Sequence, residues 1–382
     1  MTRLMDINVF LGSFFICVNG QLLEEAKKLH SDLMNGYIKH VFPTNNQSEP
    51  INVELIYFLI SINSFREVDE TISVTAGITM TWHDVSLTWD PASYGGMKTI
   101  YFPSSLIWTP QIYLLNTPDE IKRVGEDTDY LVTVTQDGFV TFTPGGVMEA
   151  TCPADVSKFP YDIQSCTIEF IAWSTGASVV QLLSKYDKVF FPYFTANSDW
   201  VVIENSTSVE LIETSVYSYK VKISLMREPT YYAVVILIPT MVFCLLNPVV
   251  FLLPVESGER VSMAMTMLLS YAIFLTLVTN SIPATSNPMC FLLIMMIVII
   301  AISGLILLFV IITLKCYYGE TAKGKICCPR LVFLTKRIKT PHSENIDPPG
   351  KEIVRTLDKI FLVLSHILIF VAIMSYIIVV NI

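Results

Sequence analysis

Residues 261–314 read VSMAMTMLLSYAIFLTLVTNSIPATSNPMCFLLIMMIVIIAISGLILLFVIITL, 54 positions without one Asp, Glu, Lys or Arg. About 20 apolar residues are enough to cross the hydrocarbon of a bilayer. The stretch therefore holds two crossings, divided at the turn-forming segment Pro283–Pro288. Working outward, Glu228 precedes a second charge-free run that ends at Val255, and residues 360–382 form a third. The expected spans are Tyr231–Leu253, Val261–Ile282, Met289–Leu314 and Ile360–Val380. Backbone amides in lipid must be paired within their own segment, so each span is expected to be helical. The whole chain of 382 residues is 52% apolar and 15% charged, with a mean hydropathy of +0.53. A soluble protein carries about 25% charged residues, so these values exclude an ordinary cytosolic enzyme.

Charge divides the chain at the same place. Residues 21–228 hold 13 Lys+Arg against 26 Asp+Glu, a net of −13, and residues 229–382 hold 11 against 7, a net of +4. With Arg3 and Asp6 cancelling, these sum to −9. An acidic first half is the wrong sign for nucleic acid. There is no zinc-finger, Walker or Rossmann motif, and the five histidines lack ligand spacing. The loop between spans two and three carries no Lys or Arg, whereas Lys315–Lys359 carries ten and Arg260 lies just before span two. Basic residues stay on the cytoplasmic side. The N-terminal half and the C-terminus are thus expected outside, at the plasma membrane, with Lys315–Lys359 inside.

Residues 1–20 read as a secretory signal, with Arg3 ahead of the short apolar run Ile7–Val18 and small residues near a cleavage point. Gln21–Asn35 follows as an amphipathic helix, with Leu22, Ala26, Leu29 and Leu33 on one stripe. Strand signals run from Ile51 to Arg227. Ile51–Ile60 and Leu131–Phe142 are β-branched and aromatic, and Gln136-Asp137-Gly138 supplies a hairpin turn. Many short strands over about 200 residues predict a β-sandwich. Asn46-Gln47-Ser48 and Asn205-Ser206-Thr207 are N-glycosylation acceptors. Of eight cysteines, Cys17 leaves with the signal, Cys244 and Cys290 lie in spans, and Cys316, Cys327 and Cys328 are cytoplasmic. Cys327-Cys328 reads as a palmitoylation site or as unmodified thiols. Cys152 and Cys166 remain outside, as a disulfide around Phe159-Pro160 or as two free thiols.

Span two carries Glu259, Ser262, Thr266, Leu269, Ile273, Thr276 and Asn280 at alternating spacings of 3 and 4, which places them on one helical stripe. A polar stripe on a membrane helix either packs against neighbouring helices or faces water. Both readings stand at this point.

The segment Cys152-Pro-Ala-Asp-Val-Ser-Lys-Phe-Pro-Tyr-Asp-Ile-Gln-Ser-Cys166 resembles the Cys-loop receptors, the pentameric ligand-gated ion channels of the nicotinic acetylcholine receptor class. Asp155, Phe159, Pro160, Tyr161, Asp162 and Gln164 stand between cysteines at the family's spacing. Trp82, Trp89-Asp90-Pro91, Trp108-Thr109-Pro110, Trp173 and Arg227-Glu228-Pro229 join the match, as does Ser257-Gly258-Glu259-Arg260 before span two. The pattern is that of a divergent or orphan member, of invertebrate type. The resemblance implies an extracellular β-sandwich (21–228) after the signal (1–20), and three transmembrane helices within 229–314. A short cytoplasmic loop (315–356) and a fourth helix with the C-terminus (357–382) complete it.

It also implies assembly with four further subunits, as a homopentamer or a heteropentamer, with span two lining a pore for monovalent cations. Leu269 and Ile273 would form the constriction, and Glu259 a negative ring. Trp173 matches the central ring of the agonist box, and Tyr217 or Tyr219 would add another. Leu115 stands where a tyrosine is usual, and Gly77 where the complementary face has tryptophan. That combination implies a roomier cleft, suited to an amine or amphiphile rather than to acetylcholine. Trp82, Trp89 and Trp108 read as sandwich core. Coupling to the pore falls to Asp69, Glu70, Phe159, Pro160, Asp162, Arg227 and Pro283, with Asp69 or Glu70 as the carboxylate that pairs with Arg227. No cofactor, metal or nucleic acid is expected, and no nucleophile–base pair suggests an enzyme. The alternatives are a non-conducting or obligately heteromeric subunit, and an anion-selective member.

Overall fold

Period-two burial builds the N-terminal half. Along β1 (Ile51–Arg66), Ile51, Val53, Leu55, Tyr57 and Leu59 are buried, and the residues between them are half-buried or exposed. In β2 (Thr71–Thr88), Ile72, Val74, Ala76, Ile78, Met80 and Trp82 are buried in the same alternation, with Thr71, Ser73 and Gly77 of the other face also buried. A strand turns successive side chains to opposite faces, so such a pattern needs a second layer to cover its apolar side. A computed structural model describes residues 23–173, 175–213, 215–280, 282, 288–323 and 349–381. The expected signal (1–20), Pro283, and Cys327 and Cys328 lie outside the described residues.

Among the described residues the strands form two sheets. Besides β1 and β2 they are β3 (Thr99–Pro103), β4 (Tyr113–Leu114), β5 (Leu131–Thr135), β6 (Asp137–Phe142), β7 (Gly145–Thr151), β8 (Ile163–Ile171), β9 (Val180–Ser184), β10 (Trp200–Ile212) and β11 (Val216–Arg227). One sheet runs β3-β5-β6-β2-β1-β9, with β7 also paired to β2, and the other runs β10-β11-β8-β4. Tyr57 from the first meets Phe170 from the second at 5.9 Å between ring centroids. β1 continues past Ile60 to Arg66 through two bulges against β2. The β5–β6 hairpin turns at Gln136, and Gly138 follows at φ 78°. A Cβ there would come within 2.6 Å of the Asp84 carbonyl oxygen, so only glycine fits that turn. Trp82 and Trp108 are core, edge to face at 5.6 Å, while Trp89 is half-buried and donates from Nε1 to the Met97 carbonyl at 2.7 Å. α1 (Leu23–Met34) lays Leu29 and Leu33 on this core.

Among the described residues, four helices long and apolar enough to cross a membrane follow: α2 (Thr230–Leu252), α3 (Glu259–Asn280), α4 (Phe291–Lys323) and α5 (Pro349–Asn381). α2 is irregular, with a π turn at Ala233–Leu237 and a 3-10 stretch at Asn247–Leu252. Pro239 and Pro248 explain this, since each removes a backbone donor and crowds the preceding turn. α4 and α5 extend beyond their apolar cores into both ends of the segment read as a loop.

The two halves are joined at the 152–166 loop, where Cys152 and Cys166 are disulfide-bonded and the Phe159–Pro160 peptide is cis. The Phe159 carbonyl accepts from Tyr376 Oη of α5 at 3.1 Å, and the Ser157 carbonyl accepts from the Phe291 amide of α4 at 3.1 Å.

Candidate functional site

α3 divides its residues by face. Arg260, Ala264, Tyr271 and Val278 are buried against the other helices, with Tyr271 edge to face on Phe243 of α2 at 6.1 Å. Glu259, Ser262, Thr266, Leu269, Ile273, Thr276 and Asn280 are all exposed, Leu269 by 62% and Ile273 by 54%. Thr266 and Thr276 donate to carbonyls four residues back, at 2.9 and 3.0 Å. These hydroxyls are satisfied within α3 rather than by a neighbouring helix. Glu259 stands in the first helical turn, after Gly258 in the left-handed region at φ 75°.

Beside it, Arg260 is buried rather than free. Its Nη1 and Nη2 meet Asp358 Oδ1 and Oδ2 of α5 at 2.9 and 2.8 Å, and its Nε donates to the Leu253 carbonyl at 2.8 Å. This ion pair ties the start of α3 to α5. In the sequence Arg260 reads as a marker of orientation and as part of the Ser257-Gly258-Glu259-Arg260 match, not as a partner of Asp358. The available signal was one charge of each sign just before spans two and four, Arg260 and Asp358.

A second buried arginine sits at the junction of the halves. Met226 of β11 pairs with Ile163 of β8, so the next position places Arg227 beside Asp162. Nε and Nη2 of Arg227 donate to Asp162 Oδ1 and Oδ2 at 2.8 and 3.0 Å, and Nη1 lies 2.6 Å from Glu67 Oε1. The rings of Trp200, Phe159 and Tyr232 surround the guanidinium at 4.3, 5.0 and 5.2 Å. Burial alone would lower the pKa of Arg227, but the hydrogen bonds and charges of Asp162 and Glu67 outweigh it and raise it above its ordinary value. The expected pairing with Asp69 or Glu70 is therefore corrected. Asp69 faces Arg66 at 3.4 Å, and Glu70 reaches the 152–166 loop through its backbone carbonyl, which accepts from the Cys152 amide at 2.7 Å. The β1–β2 turn carries Glu67, not these two, toward the guanidinium.

The expected ligand residues fall on two separate faces. Tyr113, Ile171 and Ser218 form one row across β4, β8 and β11. Trp173, 52% exposed, lies just beyond that row. The Ala177 amide donates to the Ser215 carbonyl at 2.8 Å, which brings the turn after β8 to the tip of the β10–β11 hairpin. Tyr217, at the start of β11, is half-buried at the same end, as is Leu115 next to β4. Tyr219 is core: it is buried, 6.4 Å from the Phe170 ring, and burial raises its pKa. Its ring lies between the sheets, so it supplies none to this face.

Gly77 lies on the other sheet, away from Trp173. The expectation of an open cleft at Gly77 is also corrected, because a Cβ there would stand 2.1 Å from Cζ of Phe58. The Phe58 ring already fills that space. Sequence reading missed Phe58 because the cross-strand pairing of residue 58 with 77 is a tertiary fact. Of the glycosylation acceptors, Asn46 is exposed on a turn. Asn205 is half-buried in β10, its Oδ1 accepting from the Val189 amide at 2.9 Å.

Comparison with known proteins bears on both halves. Residues 26–229 match the neurotransmitter-gated ion-channel ligand binding domain, and residues 236–325 match the neurotransmitter-gated ion-channel transmembrane region. Neuronal acetylcholine receptor subunit alpha-6 of Homo sapiens is 31% identical over 287 residues, 73% of this chain and 56% of its own length. Acetylcholine receptor subunit alpha-1-B of Xenopus laevis is 30% identical over 270 residues, 69% of this chain and 59% of its own. Acetylcholine receptor subunit alpha of Danio rerio is 29% identical over 270 residues, again 69% and 59%. The chain thus spans between 56 and 59% of the length of these relatives.

Proposed function

The chain belongs to the neurotransmitter-gated ion-channel family, whose members are channels and not enzymes, and from that premise we propose that it is one subunit of a pentameric, ligand-gated, cation-selective channel. One observation carries the reading: all seven stripe residues of α3 are exposed, and the opposite face of the helix packs on its own subunit. Around a fivefold axis, that stripe lines a pore. Rings of Leu269 and Ile273 make an apolar constriction that closes by dewetting. The Glu259 ring attracts cations at one mouth, and the acidic sheet domain enriches them above the other.

The ligand site is formed between neighbours, Trp173, Tyr217 and Leu115 facing the strand pair that holds Gly77. With a hairpin tip that carries no cysteine pair and one available tyrosine, the Trp173 face of this box is sparse for strong acetylcholine binding. An amine with an apolar body, or an amphiphile, fits it better. Ligand-driven movement of the β10–β11 hairpin reaches α2 directly, because Arg227 ends β11 and α2 begins at Thr230. The 152–166 loop, through Phe159, Pro160 and Asp162, and the β1–β2 turn with Asp69 and Glu70, form the rest of the coupling junction, a role shared by Pro283, which lies outside the described residues. The same reading places the sheet domain and the C-terminus outside the plasma membrane, after a cleaved signal.

Expression of the full chain in voltage-clamped cells tests this, with a panel of amines, protons and amphiphiles. The expected result is a ligand-evoked current whose reversal potential follows sodium, loses that dependence in Glu259→Gln, and disappears in Trp173→Ala. A current that follows chloride would refute cation selectivity. A robust micromolar acetylcholine response abolished by Trp173→Ala would refute the ligand assignment. Assembled pentamers that pass no current with any of the panel would support the non-conducting reading instead.

A further inference from the structure

The outer face of β2 is small where it lies beside β1. Thr75, Gly77 and Thr79 lie on it, and Gly145 of β7 pairs with Gly77. Phe58 interrupts this surface. It is the direct cross-strand partner of Gly77, and its ring covers that glycine. A Cβ at residue 77 would stand 2.1, 2.6 and 2.9 Å from Cζ, Cε2 and Cε1 of Phe58. Those are the three outer atoms of the ring, so its tip occupies the volume that a side chain on residue 77 would take. On its other side Phe58 bridges in parallel to Phe190. Directly opposed residues share a face. Phe190, 41% exposed, therefore continues the ring surface, and Tyr186, 47% exposed, stands edge-on to it at 4.7 Å.

We infer, resting on the proposed function, that Phe58, Phe190 and Tyr186 form the neighbouring-subunit wall of the ligand site in place of a side chain at residue 77, and that this wall selects an ammonium group carried on a flat apolar body. Ring faces attract ammonium groups, and most strongly when water is excluded. A flat apolar body gains further by stacking along three rings rather than one. Glycine at 77 is what allows this arrangement, because any larger residue would push the Phe58 ring off the sheet.

A photoreactive aromatic trimethylammonium probe tests the inference on assembled full-length protein in membranes, with labelled peptides mapped and surface pentamers counted. Wild-type protein should label within the peptides that hold Phe58 and Phe190. Phe58→Leu keeps apolar volume over Gly77 without a π face, and should assemble normally yet lose labelling by about tenfold. Phe58→Tyr should retain it. Phe58→Ala combined with Gly77→Trp moves the ring to the partner strand and should restore labelling. Full labelling in Phe58→Leu, loss in Phe58→Tyr, or no restoration in the double variant would each overturn the inference while leaving the proposed function intact. Wild-type labelling that falls outside these peptides and is unchanged by Trp173→Ala would overturn the proposed ligand site and the inference with it.

Discussion

Asp162→Ala is the sharpest perturbation the junction offers. Arg227 is almost wholly buried, and Asp162 supplies two of its three carboxylate contacts, at 2.8 and 3.0 Å. Removing one partner of a buried ion pair typically costs about 3–5 kcal/mol, because the surviving charge has no water to replace it. Here Glu67 remains at 2.6 Å, so the loss should fall near the lower end, about 3 kcal/mol. Glu67→Ala removes a single contact from a group nearer solvent, and should cost about 2 kcal/mol. For a sheet domain of this size, about 3 kcal/mol corresponds to a fall of about 6–12 °C in the unfolding midpoint. The double variant Asp162→Ala with Glu67→Ala strands the guanidinium among Trp200, Phe159 and Tyr232. Adding Arg227→Met to that background should then recover stability, since an apolar side chain suits the ring cage better than an unpaired charge. Tryptophan fluorescence during thermal unfolding of purified assembled protein reads all of these, with Trp200 next to the cluster as reporter. The reasoning fails if Asp69→Ala or Glu70→Ala lowers the midpoint as much as Asp162→Ala. It fails equally if Arg227→Met makes the double variant less stable.

The remaining predictions concern other parts of the molecule. Arg260→Asp and Asp358→Arg should each reduce surface assembly severalfold, and their combination should recover it in part; cell-surface biotinylation measures this. Asp84 is buried, which raises its carboxyl above the ordinary value of 3.8, against the lowering effect of its bonds to Tyr37 and Ser86. The folded state thus holds this proton more tightly, so the stability it contributes is complete below pH 3.8 and is lost as pH rises through the raised value. Asp84→Asn should flatten that slope in a pH series of unfolding midpoints. Glycan occupancy, read by peptide mass mapping, should be high at Asn46 and low at Asn205, whose side-chain carbonyl is tied to Val189 within a paired strand.

Local pattern was sufficient wherever a period or a count carries the information. Apolar runs marked four helices because lipid demands continuous apolarity over a fixed thickness. The spacing of Glu259 through Asn280 defined a helical stripe, and the alternation in β1 and β2 marked a sandwich face. What covers those faces was not legible. The carboxylates around Arg227 depend on the register of β8 against β11 and on the path of the β1–β2 turn, which set Asp162 and Glu67 in place ahead of Asp69 and Glu70. Tyr217 and Tyr219 read alike in sequence, and only the closing of the second sheet buries one of them.

The sequence by itself determined the two-part architecture, the disulfide candidates and the single stripe on α3, because each follows from interactions within one element or from chemistry along the chain. The tertiary structure alone decided that the stripe is exposed, that Arg260 and Arg227 are buried pairs, and that Phe58 fills the place left by Gly77. Those outcomes are set by contacts between residues 98, 65 and 19 positions apart. Such contacts depend on strand register and helix packing, which no local pattern encodes.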